Sequence, residues 1–330
     1  MIVTRFLLLA PVFIFLMVFD QFSFAQTDSS YIESYRFNIV PRITSDFRIQ
    51  DISFTSKTSD STYLKSNFST GSQFLIGGAA SYRWVNVGYA FSLSPDNSKQ
   101  NMDLRFSTGY RPFQMQFNLS YLRNLGYTLI NGKTSGESDT IIAQRERGIN
   151  IITSRLKTDY VFNYRKYSYS AGFSPTNRQL KSAGSFLVSG AISNDRVSLE
   201  QLSEFTKPLF DSINGFNNVM INSIDLGGGY GYNWVISRHW TLSFIEIPKV
   251  GLDFIRASSS VPEKYFFTVG FVNHFKLGVA YTYNRFFSGI TAYNLISVSK
   301  IKSTNYNNSY ATFGVYCGWV FDARRKKGGS

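Results

Sequence analysis

Two histidines, His239 and His274, and one cysteine, Cys317, are all that a chain of 330 residues offers of the side chains that most often hold metals or attack substrates. His274 is the better candidate, two residues before Lys276. A hydrolase acting on lipid would need that imidazole beside a serine and an orienting acid or amide, and no serine motif points to it. His239 stands in "RHW", the pattern of a short turn, where a solvated imidazole is the ordinary expectation. "GGGYGY" from Gly227 has the glycines of a phosphate loop but lies inside an alternating run with no helix after it, so a glycine-lined face that admits a bulky neighbour is the better reading. No catalytic residue, metal or cofactor is therefore expected. What remains is charge: Asp103, Arg105, Arg155, Lys157, Asp159, Asp225, Lys249, Asp253, His274 and Lys276 recur on the polar side of alternating runs. Mixed signs at one level favour ion-paired filling, since an unpaired buried charge is costly, and the positive surplus would favour anions along any open path.

The elements that must position these groups are strands. "YATFGVYCGWVF", from Tyr310, puts Ala311, Phe313, Val315, Cys317, Trp319 and Phe321 on one face and Thr312, Gly314, Tyr316 and Gly318 on the other. The same two faces recur near Val85, across Met102 to Tyr121, across Ser223 to Trp234 and, most clearly, from Tyr265 to Tyr283. Period two means a strand between two different environments. These runs hold their alternation for roughly 9 to 19 residues, against about 5 to 6 for a sandwich strand, and a strand that crosses a bilayer needs roughly 9 to 11.

The first 25 residues read as a cleaved leader: "MIVTR", the apolar "FLLLAPVFIFLMVF", then small residues at Ser23 and Ala25. Residues 26–33 follow as a short N-terminal segment, 34–321 as the barrel, and 322–330 as a basic tail. The net charge is +13, but its clearest cluster, Arg324 to Lys327, follows the last strand, so a solvated tail is expected rather than nucleic-acid binding. With 31 Phe, 21 Tyr and 25 Gly, and no spanning apolar stretch after residue 25, any membrane-embedded form must be a barrel.

Connections set the strand number. Five short ones each hold an arginine (Arg83, Arg111 in "YRPF", Arg165, Arg238, Arg285), and six longer polar ones fall near 57–69, 94–101, 125–147, 193–219, 257–263 and 302–308. They alternate strictly, which predicts a twelve-stranded all-β antiparallel transmembrane barrel with short periplasmic turns and longer outer loops. Two places resist: Tyr167 to Ala191 must count as one strand despite "SPTNRQ", with a bend or an excursion around Pro175, and the alternation slips at Glu246 to Pro248, where a bulge is expected. Trp84, Trp234, Trp240, Trp319 and Phe321 all fall at the periplasmic ends, as an aromatic girdle should.

With "DSSYIESY" at the mature N-terminus, "GGAASYRWVNVGYAFSL", and above all "KSAGSFLVSG" from Lys181, the chain resembles the barrel family called domain of unknown function 4421 over nearly its whole mature length, although "RFNIVPRI" departs from the pattern. The resemblance implies an outer-membrane barrel of Gram-negative bacteria and no known activity. The expected partners are outer-membrane lipid, the barrel-assembly machinery, whose C-terminal signal Phe321 suits, and a small polar solute. The leading expectation is a narrow charged-lumen pore or binding barrel for small polar, anionic solutes. A plugged structural barrel recruiting a partner through Gly126 to Gly148 is the alternative, and a lipid-modifying enzyme is third.

Overall fold

The computed structural model describes residues 27–322 except 36–37, 58–61, 94–100, 111, 124–125, 134–139, 145–149, 175, 199–217, 259–263 and 302–303. The leader, the tail from 323 and Arg111 lie outside the described residues. A short strand, β1 (Ile32–Ser34), precedes the first wall strand, β2 (Asn38–Lys57). β3 (Thr62–Ser69) and β4 (Gln73–Tyr82) together form the second, and β5 (Val85–Ser92), β6 (Asn101–Tyr110) and β7 (Phe113–Leu122) continue the wall. β8 (Gly126–Lys133) and β9 (Thr140–Gln144) make a hairpin that pairs with β3 at the loop end. The wall resumes with β10 (Asn150–Val161), followed by the small β11 (Asn177–Gln179) and then β12 (Ala183–Ser198), β13 (Asn218–Val235) and β14 (Trp240–Ser258). β15 (Lys264–Tyr283), β16 (Phe286–Ile301), β17 (Thr304–Trp319) and the two-residue β18 (Phe321–Asp322) complete it.

Every wall pairing is antiparallel, and β17 pairs with β2 from Gly318↔Arg42 to Thr304↔Ser56, closing twelve strands into a barrel with no free edge along the wall. β2 pairs first with β3 and then with β4, and at the change residues 70–72 stand opposite 49–50. That extra residue is a bulge, and Gly71 takes the positive φ (61°) it needs. The alternating sequence now has a physical partner on each side. Phe47, Val87, Phe106, Val188, Leu226, Phe254, Phe271, Ile290 and Phe313 face outward, while Asp46, Arg48, Asp159, Ser189, Asp225 and Asn233 are buried within. Trp84, Trp234, Trp240, Trp319 and Phe321 are exposed at the end that carries both termini.

Three expectations need correction. The stretch from Tyr167 to Ala191 is not one strand: after the turn at Arg165, residues 162–182 fold as a separate segment, and the wall restarts only at Ala183. The stretch leaves the wall because its polar backbone is satisfied elsewhere, as described below. No bulge occurs at Glu246 to Pro248, because the pairing of β14 with β15 keeps one register from Trp240↔Tyr281 to Ala257↔Lys264. The alternation only looks shifted there because the inward Ile245 and Ile247 are apolar while the outward row carries a glutamate. Several expected loops are largely strand: β2 and β3 leave only 58–61 between them, β12 runs to Ser198, and β17 begins at Thr304.

Candidate functional site

Inward rows meet in three layers. At the loop end Ile52, Phe54, Phe68, Leu122, Ile151, Val197, Val219, Ile221, Ile255 and Tyr306 pack into one apolar cluster, with Phe266 against it. These residues come from β2, β3, β7, β10, β12, β13, β14 and β17, which stand on opposite sides of the wall, so the layer reaches across the lumen. Each is almost fully buried and offers water no polar group except the Tyr306 hydroxyl.

Below it lies the charged layer. Arg48, fully buried, pairs with Asp103, which also accepts from Ser120 Oγ (2.7 Å) and Arg105 Nη2 (3.2 Å), and Arg105 lies 3.8 Å from Asp46. Lys157 Nζ stands 2.7 Å from Asp159 Oδ2 and 3.4 Å from His274 Nδ1. These charges thus sit where the pleat sends them inward and where an opposite charge or a ring offsets the lost hydration. Lys276 has three aromatic rings as neighbours, those of Tyr169, Phe173 and Tyr293 at 5.6–5.9 Å, instead of a carboxylate. Arg155 Nε is buried without a hydrogen-bond partner.

The termini end is filled by residues 162–182. Tyr169 Oη donates to Asp159 Oδ2 (2.5 Å) and accepts from Lys157 Nζ (2.9 Å). Asn233 Nδ2 donates to Ser168 O (2.7 Å), and Gln179 Nε2 donates to Lys166 O (2.6 Å) and Lys181 O (2.9 Å). From the opposite wall Arg42 Nη1 donates to Phe173 O and Tyr316 Oη to Gly172 O of the same segment. The backbone approaches so closely that a Cβ on Gly278 would lie 2.3 Å from Gly172 O, and one on Gly231 would meet the Tyr167 hydroxyl at 2.2 Å. This is the bulky neighbour that the glycine face of "GGGYGY" admits. The N-terminal strand β1 pairs with β11 of the plug, and Leu180 N donates to Tyr31 O (2.7 Å), so the segment is clamped from outside as well. Val161, Tyr167, Ala183, Leu187, Ile245 and Ile247 form a second apolar cluster around it, which explains the inward isoleucines of β14. Burial pushes the Tyr167 phenol far above its usual value; burial and then the Asp159 charge do the same to Tyr169.

Between plug and apolar layer lies a cavity of about 930 Å³. Its border includes Arg42, Arg83, Arg105, Arg155, Lys157 and Lys276 against Asp46, Asp103, Asp159 and Asp195. It reaches Thr27, Arg83 and Trp84 at the termini end, and none of the loop-end cluster borders it. Of the ten charged positions singled out by sequence, Asp103, Arg105, Arg155, Lys157, Asp159 and Lys276 border the cavity. Asp225, Lys249, Asp253 and His274 are buried in the inner packing without bordering it. Sequence reading passed over Arg42, Asp46 and Arg48, although "RITSDFR" alternates them with Ile43 and Phe47, and it passed over Asp195 because that residue was assigned to a loop. His239, in the turn before β14, bonds locally, its Nδ1 donating to Thr282 O of β15 at 2.9 Å. Among the described residues no group of three or more His, Cys, Asp or Glu could hold a metal ion.

Comparison with known proteins returns barrels. The outer-membrane protease OmpT of Escherichia coli is 7% identical with a TM-score of 0.38, covering 87% of this chain and 97% of its own. The translocator domain of the autotransporter NalP from Neisseria meningitidis is 12% identical (TM-score 0.37; 83% and 87%), and OprG from Pseudomonas aeruginosa 11% (0.25; 88% and 100%). Identities and TM-scores this low transfer neither register nor activity. No curated protein matches the sequence. A family model does match, from residue 26 to the last wall strand, and the chain belongs to the family described as domain of unknown function (DUF4421), residues 26–321.

Proposed function

We propose that this protein is an outer-membrane barrel that binds a small anionic solute in its lumen, reached from the periplasmic end where both termini lie. The observation that carries this reading is the cavity, bordered by six cationic and four acidic side chains, in which Arg155 has an unpartnered Nε and Lys276 stands, among the described residues, beside three rings rather than a carboxylate. An anion there would gain charge-assisted hydrogen bonds that the resting lumen lacks. The apolar outer rows and the aromatic residues clustered at one end support membrane insertion, and the leader supports export. Binding is favoured over an open pore because the apolar layer crosses the lumen above the cavity. His274 faces a lysine ammonium rather than a carboxylate, which argues against a general base.

Calorimetric titration of the folded protein with inorganic phosphate tests the proposal. Saturable binding that weakens at least tenfold in Arg155→Met and Lys276→Met is expected; binding indifferent to both substitutions, or none, would sink it. A second reading, recruitment of a partner at the loop end, is favoured by the β8–β9 hairpin, whose outer edge has no partner strand among the described residues. Replacing residues 126–148 by a short turn would abolish such recruitment while leaving phosphate titration unchanged.

A further inference from the structure

Along the outward row of β14, Trp240, Leu242, Phe244, Val250, Leu252 and Phe254 suit lipid, and Glu246 interrupts them. Its neighbours Ile245 and Ile247 are fully buried inside, so the pleat leaves the carboxylate no path into the lumen. Six residues from Trp240, at about 3.3 Å each on a strand tilted about 45°, place it roughly 14 Å above the aromatic end, near the middle of an apolar band about 25 Å tall. Across the ladder it faces Tyr230 and Phe275. Its one polar neighbour is Asn273 of β15, whose Nδ2 lies 3.4 Å from Glu246 Oε1. Beside them the ladder is interrupted: no bridge forms between Gly228 and Pro248 or between Gly229 and Ile247, on either side of which the register is the same. Pro248 has no N–H to give, and Gly228 presents no side chain, so the surface next to the carboxylate is shallow.

We propose that this patch is the interface of a homodimer within the membrane. Within one chain that carboxylate has a single long bond, 3.4 Å from Asn273 Nδ2, and a carboxylate at this depth calls for further donors at the same depth. A second copy related by a two-fold axis along the membrane normal supplies one near that height, since Asn273, opposite Pro248, is the diagonal neighbour of Glu246 on the adjacent strand. Each copy's Asn273 amide then donates to the other's Glu246, giving two equivalent bonds across an isologous contact. Gly228 and Pro248 allow the walls to approach.

The mature protein folded into phosphatidylcholine vesicles provides the test, in a Cys317→Ala background with Phe275→Cys beside the patch or Val87→Cys on the far wall as control. Disulfide-linked dimers are expected from Phe275→Cys and not from Val87→Cys. Adding Glu246→Leu or Asn273→Leu should reduce linkage at least tenfold, whereas Glu246→Gln, which keeps the hydrogen bond, should retain it; heat-dependent gel mobility verifies that each variant is folded. Absence of linkage at Phe275→Cys at every lipid-to-protein ratio, or linkage undiminished in folded Glu246→Leu, would overturn the proposal.

Discussion

At the loop end the lumen is filled by side chains of the wall itself, Phe54, Phe68, Ile151, Ile221 and their neighbours, in contact with one another. At the termini end it is filled by an inserted segment that touches the wall largely through hydrogen bonds to Lys157, Asp159, Asn233, Arg42 and Tyr316. The first closure cannot be removed without unfolding the strands that supply it. The second is a connection between β10 and β12, and the wall on both sides of it is paired without its help. Access to the cavity therefore belongs to the plugged end.

The largest effect expected from breaking this contrast is at the loop end. Phe54→Ala removes a ring packed edge-on to Phe68 and tilted against Tyr306, at centroid distances of 6.0 and 5.3 Å, and should lower the unfolding free energy of the folded barrel by about 3–5 kcal/mol, read by denaturant titration. Asn233→Ala takes away the donor to Ser168 O and Gln179 Oε1 and the acceptor of Ser243 Oγ. It should cost about 1–3 kcal/mol and, unlike Phe54→Ala, should expose residues 162–182 to protease while the barrel stays folded. Alkaline pH should loosen the plug. Burial holds the phenol of Tyr35, whose backbone N–H donates to Thr176 O of the plug, at about 12, against an ordinary 10, and raises those of Tyr167 and Tyr169 as well. The docked segment keeps protons that an undocked one gives up, so docking is at full strength below pH 10 and weakens as pH rises from 10 toward 12. Tyrosinate absorbance followed together with protease access would show the two changing in step. The smallest effect is expected from Tyr316→Phe, which loses one bond of 3.3 Å to Gly172 O, about 0.5–1.5 kcal/mol or less, visible as faster proteolysis of the plug.

The wall was legible in the sequence because lipid and lumen impose period two on every strand; Phe313, Val315 and Trp319 announce their side without any tertiary information. Closure of the last strand on the first also followed, since alternating long and short connections leave both termini at one end. The plug was not legible. Its docking depends on partners such as Asn233 and Lys157, 65 and 12 residues away from the plug groups they bind, and its only local trace was "SPTNRQ". The same blindness produced the false slip on β14: Ile245 and Ile247 are apolar because they meet the plug, and with the plug unseen the glutamate beside them read as a register error. Asp195 was lost for a different reason, because strand lengths beyond the lipid cannot be read from a lipid-driven pattern, whereas Arg48 was legible, alternating with the outward Ile43 and Phe47.

A thin-walled cylinder under lateral pressure fails first by flattening, when opposite walls move together or apart at nearly constant circumference. The segment 162–182 is bonded to Asp159 and Asn233 on one wall and, through the Phe173 and Gly172 carbonyls, to Arg42 and Tyr316 beside the closing seam. It acts as a cross-tie at the mouth, so the roundness of that end, and with it the strain on the β17–β2 seam, is set by the length of one short stretch of backbone.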